Sequence, residues 1–248
     1  MITSIYRGGL GNQMFQVAAG YYLAKSNNDT YGINPSLQAE IGQGSVLHHY
    51  KNSVFKKFNF TDHKSLNLYK ESTSVYTPIP YTPDTLLDGF FQSEKYFPNC
   101  RNELNVLFGF ESFATTPSHK CVIHIRAGDY MAGGNNAFNV VTKDYFSNAI
   151  EHVKKLNEEI TFSVITDTLE YVRHFIPDTI KYTINQGSDL DDMRTLSESD
   201  YAIISNSTFS WWGSYLGKNK LTLAPYRWFN SSADFSDIFR EDIVKIQY

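Results

Sequence analysis

The stretch CVIHIRAGDY, Cys121–Tyr130, opens apolar and β-prone and closes on charge. Cys-Val-Ile-His-Ile reads as a buried strand. A single arginine, a small Ala-Gly step and a carboxylate follow it: Arg126, Ala127, Gly128 and Asp129. A core strand has no use for an arginine at its mouth. A polar ligand has, because open parallel sheets bind ligands at the carboxyl ends of their strands.

The flanking sequence supplies such a sheet. Thr142 is placed to cap the helix KDYFSNAIEHVKKLNEE, whose Phe146, Ala149, Ile150, Val153 and Leu156 share a face. Then ITFSVIT reads as a strand, LEYVRHF as a short helix and IKYTI as a strand. DLDDMRTLSES reads as a helix, YAIIS as a strand, STFSWWGSYLG as a helix and LTLAP as a strand. Strands alternating with short helices predict a parallel sheet with helices on both faces.

At the other end of the chain, ITSIY, RGGLG and NQMFQVAAGYYLAKS read as strand, turn and helix, with Met14, Phe15, Ala18, Tyr22 and Lys25 at helical spacing. Residues 27 to 118 are rich in Gly, Asn, Pro and Ser, and TPIPYTP, Thr77–Pro83, excludes a helix interior. Short helices and loops are expected there around one or two strands such as TLLDGF, with a helix over Gln92–Leu107. The pattern predicts an α/β protein of two lobes, 1–116 and 117–248, divided near ATTPSHK, Ala114–Lys120.

Composition excludes several classes. In 248 residues, 22 basic side chains face 26 acidic ones, a net charge of -4 that argues against a nucleic-acid partner. Two cysteines, Cys100 and Cys121, make neither a disulfide framework nor a zinc site, and the 7 histidines show no metal spacing. No metal or cofactor is expected. The N-terminus lacks the basic and apolar regions of a signal peptide, and no run reaches the roughly 18 apolar residues of a membrane span. These features predict a cytoplasmic protein. The aromatic content, 17 Tyr, 18 Phe and 3 Trp, suits either an aromatic core or stacking on the apolar faces of sugars.

Four polar clusters fall at strand ends: Arg126–Asp129, Thr166–Asp167, Asn185–Ser188 and Ser205–Ser210. In NSTFSWWGSYL, Asn206 or Ser207 can cap the following helix. The same helix N-terminus can hold an anion, with the Ser207 and Thr208 hydroxyls beside its free N–H groups. RGGLGNQ offers a second close approach of backbone to ligand, or simply a tight turn. It matches neither common phosphate-binding glycine pattern. His124 reads equally as a buried, hydrogen-bonded histidine, and Asp129 as a turn cap or an arginine partner. Arg126 is more telling, since its planar fork matches phosphate oxygens.

Four segments in order, GGLGNQMFQVAAGYYLA, DGFFQSEKYF (Asp88–Phe97), HIRAGDY and NSTFSWWGSYL, resemble the bacterial and animal α-1,2-fucosyltransferases. The resemblance runs nearly end to end and is weakest over residues 35–85. It implies a GT-B fold, two Rossmann-like lobes with parallel sheets facing a cleft. It implies metal-independent, inverting transfer of L-fucose from GDP-fucose to the 2-hydroxyl of a β-galactoside. The acceptor would belong to a surface glycan of the O-antigen or capsule type, lipid-linked in some pathways, which allows peripheral association at the inner membrane face. Carried over by residue, Arg126, Ser207, Thr208 and the Phe209 backbone would hold the donor diphosphate. His124 and Asp167 would lie near the nucleoside, and Gly11, Asn12 and Gln13 would face the reacting centre from the first lobe.

The family's second arginine is Ala127 here, and the loop MAGGNNAFNVV, Met131–Val141, holds no carboxylate. Asp129 is then the nearest base, or the reaction is driven by its leaving group with Asn12 orienting the acceptor. Two other readings stay open: another GDP-deoxysugar donor such as GDP-colitose, and a non-catalytic carbohydrate-binding protein.

Overall fold

A computed structural model describes residues 1–39, 46–111, 119–131, 136–138, 140–217 and 219–248. The chain forms two compact units, Met1–Glu111 with Ala233–Arg240, and Ser112–Ser232 with Glu241–Tyr248. Most of the expected divide, Ala114–Lys120, lies outside the described residues, as do residues 132–135 and 139 of the loop Met131–Val141. The sequence pattern runs the second lobe unbroken to the C-terminus, whereas Ala233–Arg240 return to the first unit. Within that unit Asp237 Oδ2 accepts the Tyr76 N–H at 2.7 Å, and Asp237 Oδ1 pairs with Lys95.

The first unit carries β1 (Thr3–Ser4), α1 (Leu10–Ser26), α2 (Val46–Tyr50), β2 (Asn67–Lys70), β3 (Thr85–Asp88) and α3 (Arg101–Phe108). Its three strands are parallel in the order β1-β3-β2, with Ser4 opposite Leu87 and Lys70 opposite Asp88. α1 is buried on most of its circumference, from Leu10 through Met14, Phe15, Val17 and Ala18 to Ala24. Small residues make that possible: a Cβ on Gly20 would lie 2.3 Å from the Tyr31 ring. The expected helix over Gln92–Leu107 is not continuous. A single 3₁₀ turn covers Glu94–Tyr96, and α3 starts at Arg101. Pro98 disfavours helical backbone before it, and Asn99 takes a left-handed φ of 59°.

The second unit alternates as its sequence predicts. It contains β4 (Lys120–Ile125), α4 (Gly128–Met131), α5 (Lys143–Leu156), β5 (Thr161–Thr166), α6 (Val172–Phe175), β6 (Tyr182–Ile184), α7 (Asp189–Ser197), β7 (Tyr201–Ile203), α8 (Thr208–Leu216), β8 (Leu221–Pro225) and β9 (Ile243–Ile246). The six strands are all parallel, in the order β6-β5-β4-β7-β8-β9. Ile123, Ile125, Val164 and Ile203 of the sheet meet Phe146, Ile150 and Val153 of α5 in the core. Thr142 caps α5, its Oγ1 accepting the Tyr145 N–H at 3.1 Å. Leu156 departs from the expected face. It is 57% exposed in the last turn of α5, past the end of the buried stripe. β9 went unread in the sequence, because Ile243 and Ile246 are buried while Val244 and Lys245 between them are exposed.

Candidate active site

In the second unit the chain order reverses between β4 and β7. From β4 the sheet grows through β5 to β6 on one side, and from β7 through β8 to β9 on the other. Ligands of such sheets settle in the crevice at that reversal, beyond the carboxyl ends of the two strands. The segments emerging there are Arg126–Tyr130 and Ile204–Phe209. These are two of the four polar clusters visible in the sequence.

Ser205 ties the two strand ends together. Its hydroxyl donates to the His124 carbonyl at 2.8 Å and accepts the Arg126 N–H at 3.0 Å. Arg126 is thereby held at the mouth of β4. Its guanidinium pairs with Asp167 Oδ2 at 2.9 Å and Asp129 Oδ1 at 2.8 Å, and lies 5.5 Å from the Tyr130 ring centre. The Asp167 carboxylate has a second task. Its Oδ1 accepts the Ala127 N–H at 3.0 Å and the Gly128 N–H at 3.2 Å, which shapes the turn after the strand. A side chain at 128 would collide with that carboxylate, its Cβ falling 2.9 Å from Oδ2. Asp129 is 59% exposed, so its half of the ion pair is solvated and weak.

Ala127 stands at the second position of the two-arginine pattern. Its side chain is buried in the core beside Ile125 and Val141. An arginine at this position, with the same backbone, would place its charge in the core, where it is costly unless paired. Arg126, beside it, keeps its guanidinium outside the core at the strand mouth.

His124 is 5% exposed, with its ring 5.5 Å from that of Phe209. Burial, with a smaller contribution from Arg126, lowers its pKa to about 4 against the opposing pull of Asp167. The imidazole is therefore neutral at neutral pH, and its buried Nδ1 has no protein partner. The backbone of Ser207 forms the N-cap of α8, but its hydroxyl makes no capping hydrogen bond. A helix start leaves the N–H groups of its first turn without intrahelical acceptors; here they belong to Thr208, Phe209 and Ser210. Arg126 follows the carboxyl end of β4, and Ser207 and this helix start follow that of β7, on the two sides of the strand reversal. Both Trp211 and Trp212 are core residues.

In the first unit, Gly11, Asn12 and Gln13 lie in the first turn of α1, which begins two residues earlier than the sequence suggests. The preceding turn needs glycine at position 8, where φ is +75° and a Cβ would strike the Asn12 side chain. Gln13 is buried and donates to the Gly8 carbonyl at 3.0 Å. Gln16 grips Arg7 from both sides, accepting its N–H at 3.1 Å and donating to its carbonyl at 3.3 Å. Arg7 itself pairs with Asp88. Asn12 Oδ1 accepts from Gln92 Nε2 at 2.8 Å, which links the glycine motif to the DGFFQ motif.

The sequence placed Ser205 in a polar cluster but not in its bridging role, and it missed Tyr130. Asn206, a capping candidate in the sequence, instead donates through Nδ2 to the Phe138 and Trp228 carbonyls. Position in SNSTFS, Ser205–Ser210, directly after a strand, was the available signal for the Ser205 bridge. Among the described residues no group of three or more His, Cys, Asp and Glu side chains is arranged to hold a metal. No described helix is long and apolar enough to cross a membrane.

The family model described as glycosyl transferase family 11 matches residues 1–247. The chain belongs to that family. Among its relatives, an α-1,2-colitosyltransferase of Escherichia coli is 26% identical over a 269-residue alignment covering 92% of each chain. The O-antigen biosynthesis glycosyltransferase WbnK of Escherichia coli is 26% identical, over 91% of this chain and 94% of its own. A galactoside 2-α-L-fucosyltransferase of Bos taurus is 24% identical, over 85% of this chain and 62% of its own. A solved structure, the fucosyltransferase NodZ from Bradyrhizobium, aligns over 87% of this chain and 92% of its own, with a TM-score of 0.48 and 14% identity.

Proposed function

We propose that the protein transfers L-fucose from GDP-fucose to the 2-hydroxyl of a β-galactoside on an O-antigen or capsule-like glycan, with inversion. The observation that supports this reading is the strand-reversal crevice, at which Arg126 and the start of α8 leave neighbouring strands. The reaction needs that arrangement. As the C1–O bond to the diphosphate breaks, its electron pair stays on the phosphate oxygen. The acceptor O2 bonds to C1 from the opposite face of an oxocarbenium-like sugar. Fixed donors aimed at the growing charge lower the barrier. Arg126, Ser207, Thr208 and the Phe209 N–H take that role.

The remaining assignments follow the chemistry of each group. The diphosphate competes with Asp129 for the Arg126 guanidinium, and the freed carboxylate is the nearest acceptor for the O2 proton. Neutral His124, with its unpartnered Nδ1, and Asp167 contact the nucleoside side of the donor. Gly11, Asn12 and Gln13 serve the acceptor side: Asn12 orients, while Gln13 holds the turn at Gly8. A GDP-sugar and a lipid-linked acceptor meet at the cytoplasmic membrane face, and the protein is placed there as a peripheral enzyme without a metal requirement.

GDP-colitose is the second donor to consider, because one relative is named a colitosyltransferase and Ala127 removes one positive charge from the family motif. Incubating the protein with GDP-fucose or GDP-colitose and a panel of β-galactosyl disaccharides tests both readings. Transfer from GDP-fucose supports the first. Transfer from GDP-colitose alone replaces it with the second. Binding of sugar with neither GDP binding nor transfer makes the protein a lectin.

A further inference from the structure

The first unit holds a cavity of about 270 Å³ that the donor site does not use. It is lined by residues that include Glu71, Ser72, Thr73, Phe90, Gln92 and Ile238. Lys70 and Asp88 are paired at the carboxyl ends of β2 and β3, so Glu71 and the Gly89–Gln92 segment leave the sheet side by side.

Glu71 shapes that segment. Its Oε2 accepts the Phe90 N–H at 2.7 Å, and both its oxygens accept the Phe91 N–H at 3.1 Å. The contact demands glycine at 89, where a Cβ would lie 2.5 Å from the Glu71 Cβ. It also stabilises Phe91 in a left-handed backbone, φ 51°, which is uncommon for a bulky side chain. The result is two successive phenylalanines with opposite fates: Phe91 is fully buried and Phe90 is 40% exposed at the cavity. Strained backbone of this kind gathers where it positions a functional group.

The lining chemistry narrows the ligand. Among the described residues that line the cavity none carries a positive charge and one carries a carboxylate, so a phosphate or nucleotide does not suit it. An open aromatic face, hydroxyls, a carboxamide and a carboxylate suit a neutral polyol with an apolar face. The volume, just below the roughly 300–1,000 Å³ of drug-sized sites, suits a single ring. Three protein donors reach Glu71 in four contacts, the third donor being Tyr96 at 3.4 Å; because Phe91 divides one N–H between both oxygens, a ligand hydroxyl can take one of those two among the carboxylate's roughly four acceptor positions. Burial raises the Glu71 carboxyl above its ordinary range, only partly offset by the Phe91 and Phe90 amides. Gln92 connects the cavity to Asn12 through its 2.8 Å hydrogen bond.

We propose that this cavity is the subsite for a pyranose ring of the acceptor glycan, with Phe90 as its stacking platform and Glu71 and Gln92 as hydrogen-bonding partners of its hydroxyls. The inference rests on the galactoside-transfer reading and gives its acceptor a place. Phe90→Ala removes the platform from an exposed position, and Ser72→Trp fills the cavity from another. Neither substitution touches the core. A stacking contact as strong as an aromatic pair corresponds to roughly three- to tenfold in affinity. Phe90→Ala should raise the acceptor KM by about that factor, and Ser72→Trp by more, while GDP affinity stays at the wild-type value.

Saturation-transfer NMR of the full chain with lactose, N-acetyllactosamine and lacto-N-biose, without donor, separates this proposal from the activity. A sugar signal on the wild type that both variants lose supports the subsite, even if no fucose is transferred. Wild-type acceptor KM and wild-type sugar signals in both variants overturn it, even if fucosyl transfer proceeds. A wild type silent with all three sugars overturns it as well.

Discussion

Arg126 and His124 are two positions apart on one strand, and their environments divide the work. The guanidinium meets two carboxylates at the strand mouth, while the imidazole is buried and uncharged. Arg126→Lys keeps the charge and loses the bidentate fork. A charge-assisted hydrogen bond contributes about 1.5–3 kcal/mol, so kcat/KM should fall about ten- to a hundredfold. Arg126→Ala should lose more, mostly in kcat, because charge on the leaving phosphate grows in the transition state. The fold should persist, since Asp129 is largely solvated and Asp167 keeps its two backbone amides. Steady-state rates with circular dichroism as control decide this, and near-normal turnover in the alanine variant removes Arg126 from the mechanism. For His124 the sign runs the other way from a paired histidine. Its folded pKa of about 4 lies below the unfolded value of about 6.5, so between these values only the unfolded chain takes up the proton. Its contribution is fully present above about pH 6.5 and is lost as pH falls toward 4. Converted at about 1.4 kcal/mol per pKa unit, the loss is on the order of 3 kcal/mol. Urea midpoints at pH 7 and pH 4.5 should therefore fall further for the wild type than for His124→Phe; equal slopes would show that the buried imidazole does not titrate this way.

Among the elements, α8 shows how one feature serves two readings until the structure separates them. The sequence allowed Asn206 or Ser207 as a capping side chain. In the folded chain Asn206 Nδ2 reaches the Phe138 and Trp228 carbonyls, and the Ser207 hydroxyl caps nothing. Ser207→Ala should therefore cost less than the roughly 1 kcal/mol of a lost cap, while GDP affinity drops measurably by calorimetry. A stability loss of full cap size with unchanged GDP affinity would return Ser207 to a structural role. The helices that were legible are those whose pattern and ends agree. α5 has a Thr142 cap and a four-residue apolar face, and α7 has a Ser188–Asp191 capping box behind its three acids. The Gln92–Leu107 segment misled because its apolar spacing continues across Pro98, where the backbone cannot stay helical. β2 was illegible for a different reason: Asn67, Leu68 and Lys70 are exposed, so no burial signal marked them as a strand.

For the whole molecule, what the sequence revealed was local and what it hid was long-range. The alternation from Cys121 to Pro225 is written in neighbouring residues, and it specified a parallel sheet. The strand order is not written there. The reversal between β4 and β7, which puts Arg126 beside the start of α8, depends on contacts about 80 residues apart, such as the Ser205 bridge to Arg126. The return of Ala233–Arg240 to the first unit likewise rests on Asp237 meeting Tyr76 and Lys95. The same long-range placement bears on the metal question. A diphosphate needs its charge met by a cation or by protein donors, and the donors proposed in the second unit are Arg126, the Ser207 and Thr208 hydroxyls and the first-turn amides of α8. If these suffice, GDP binding does not depend on a divalent ion. A ligand present at 100 times its Kd stabilises the folded state by about 2.7 kcal/mol. At roughly 2–4 °C per kcal/mol for a chain of this size, GDP should raise Tm by about 5–10 °C. The shift should be the same in EDTA as in millimolar magnesium or manganese, and fucosyl transfer should survive EDTA equally. A GDP-induced shift that vanishes in EDTA and returns with either ion would mean that Arg126 and α8 do not by themselves balance the diphosphate, and the leaving-group mechanism would then require a metal.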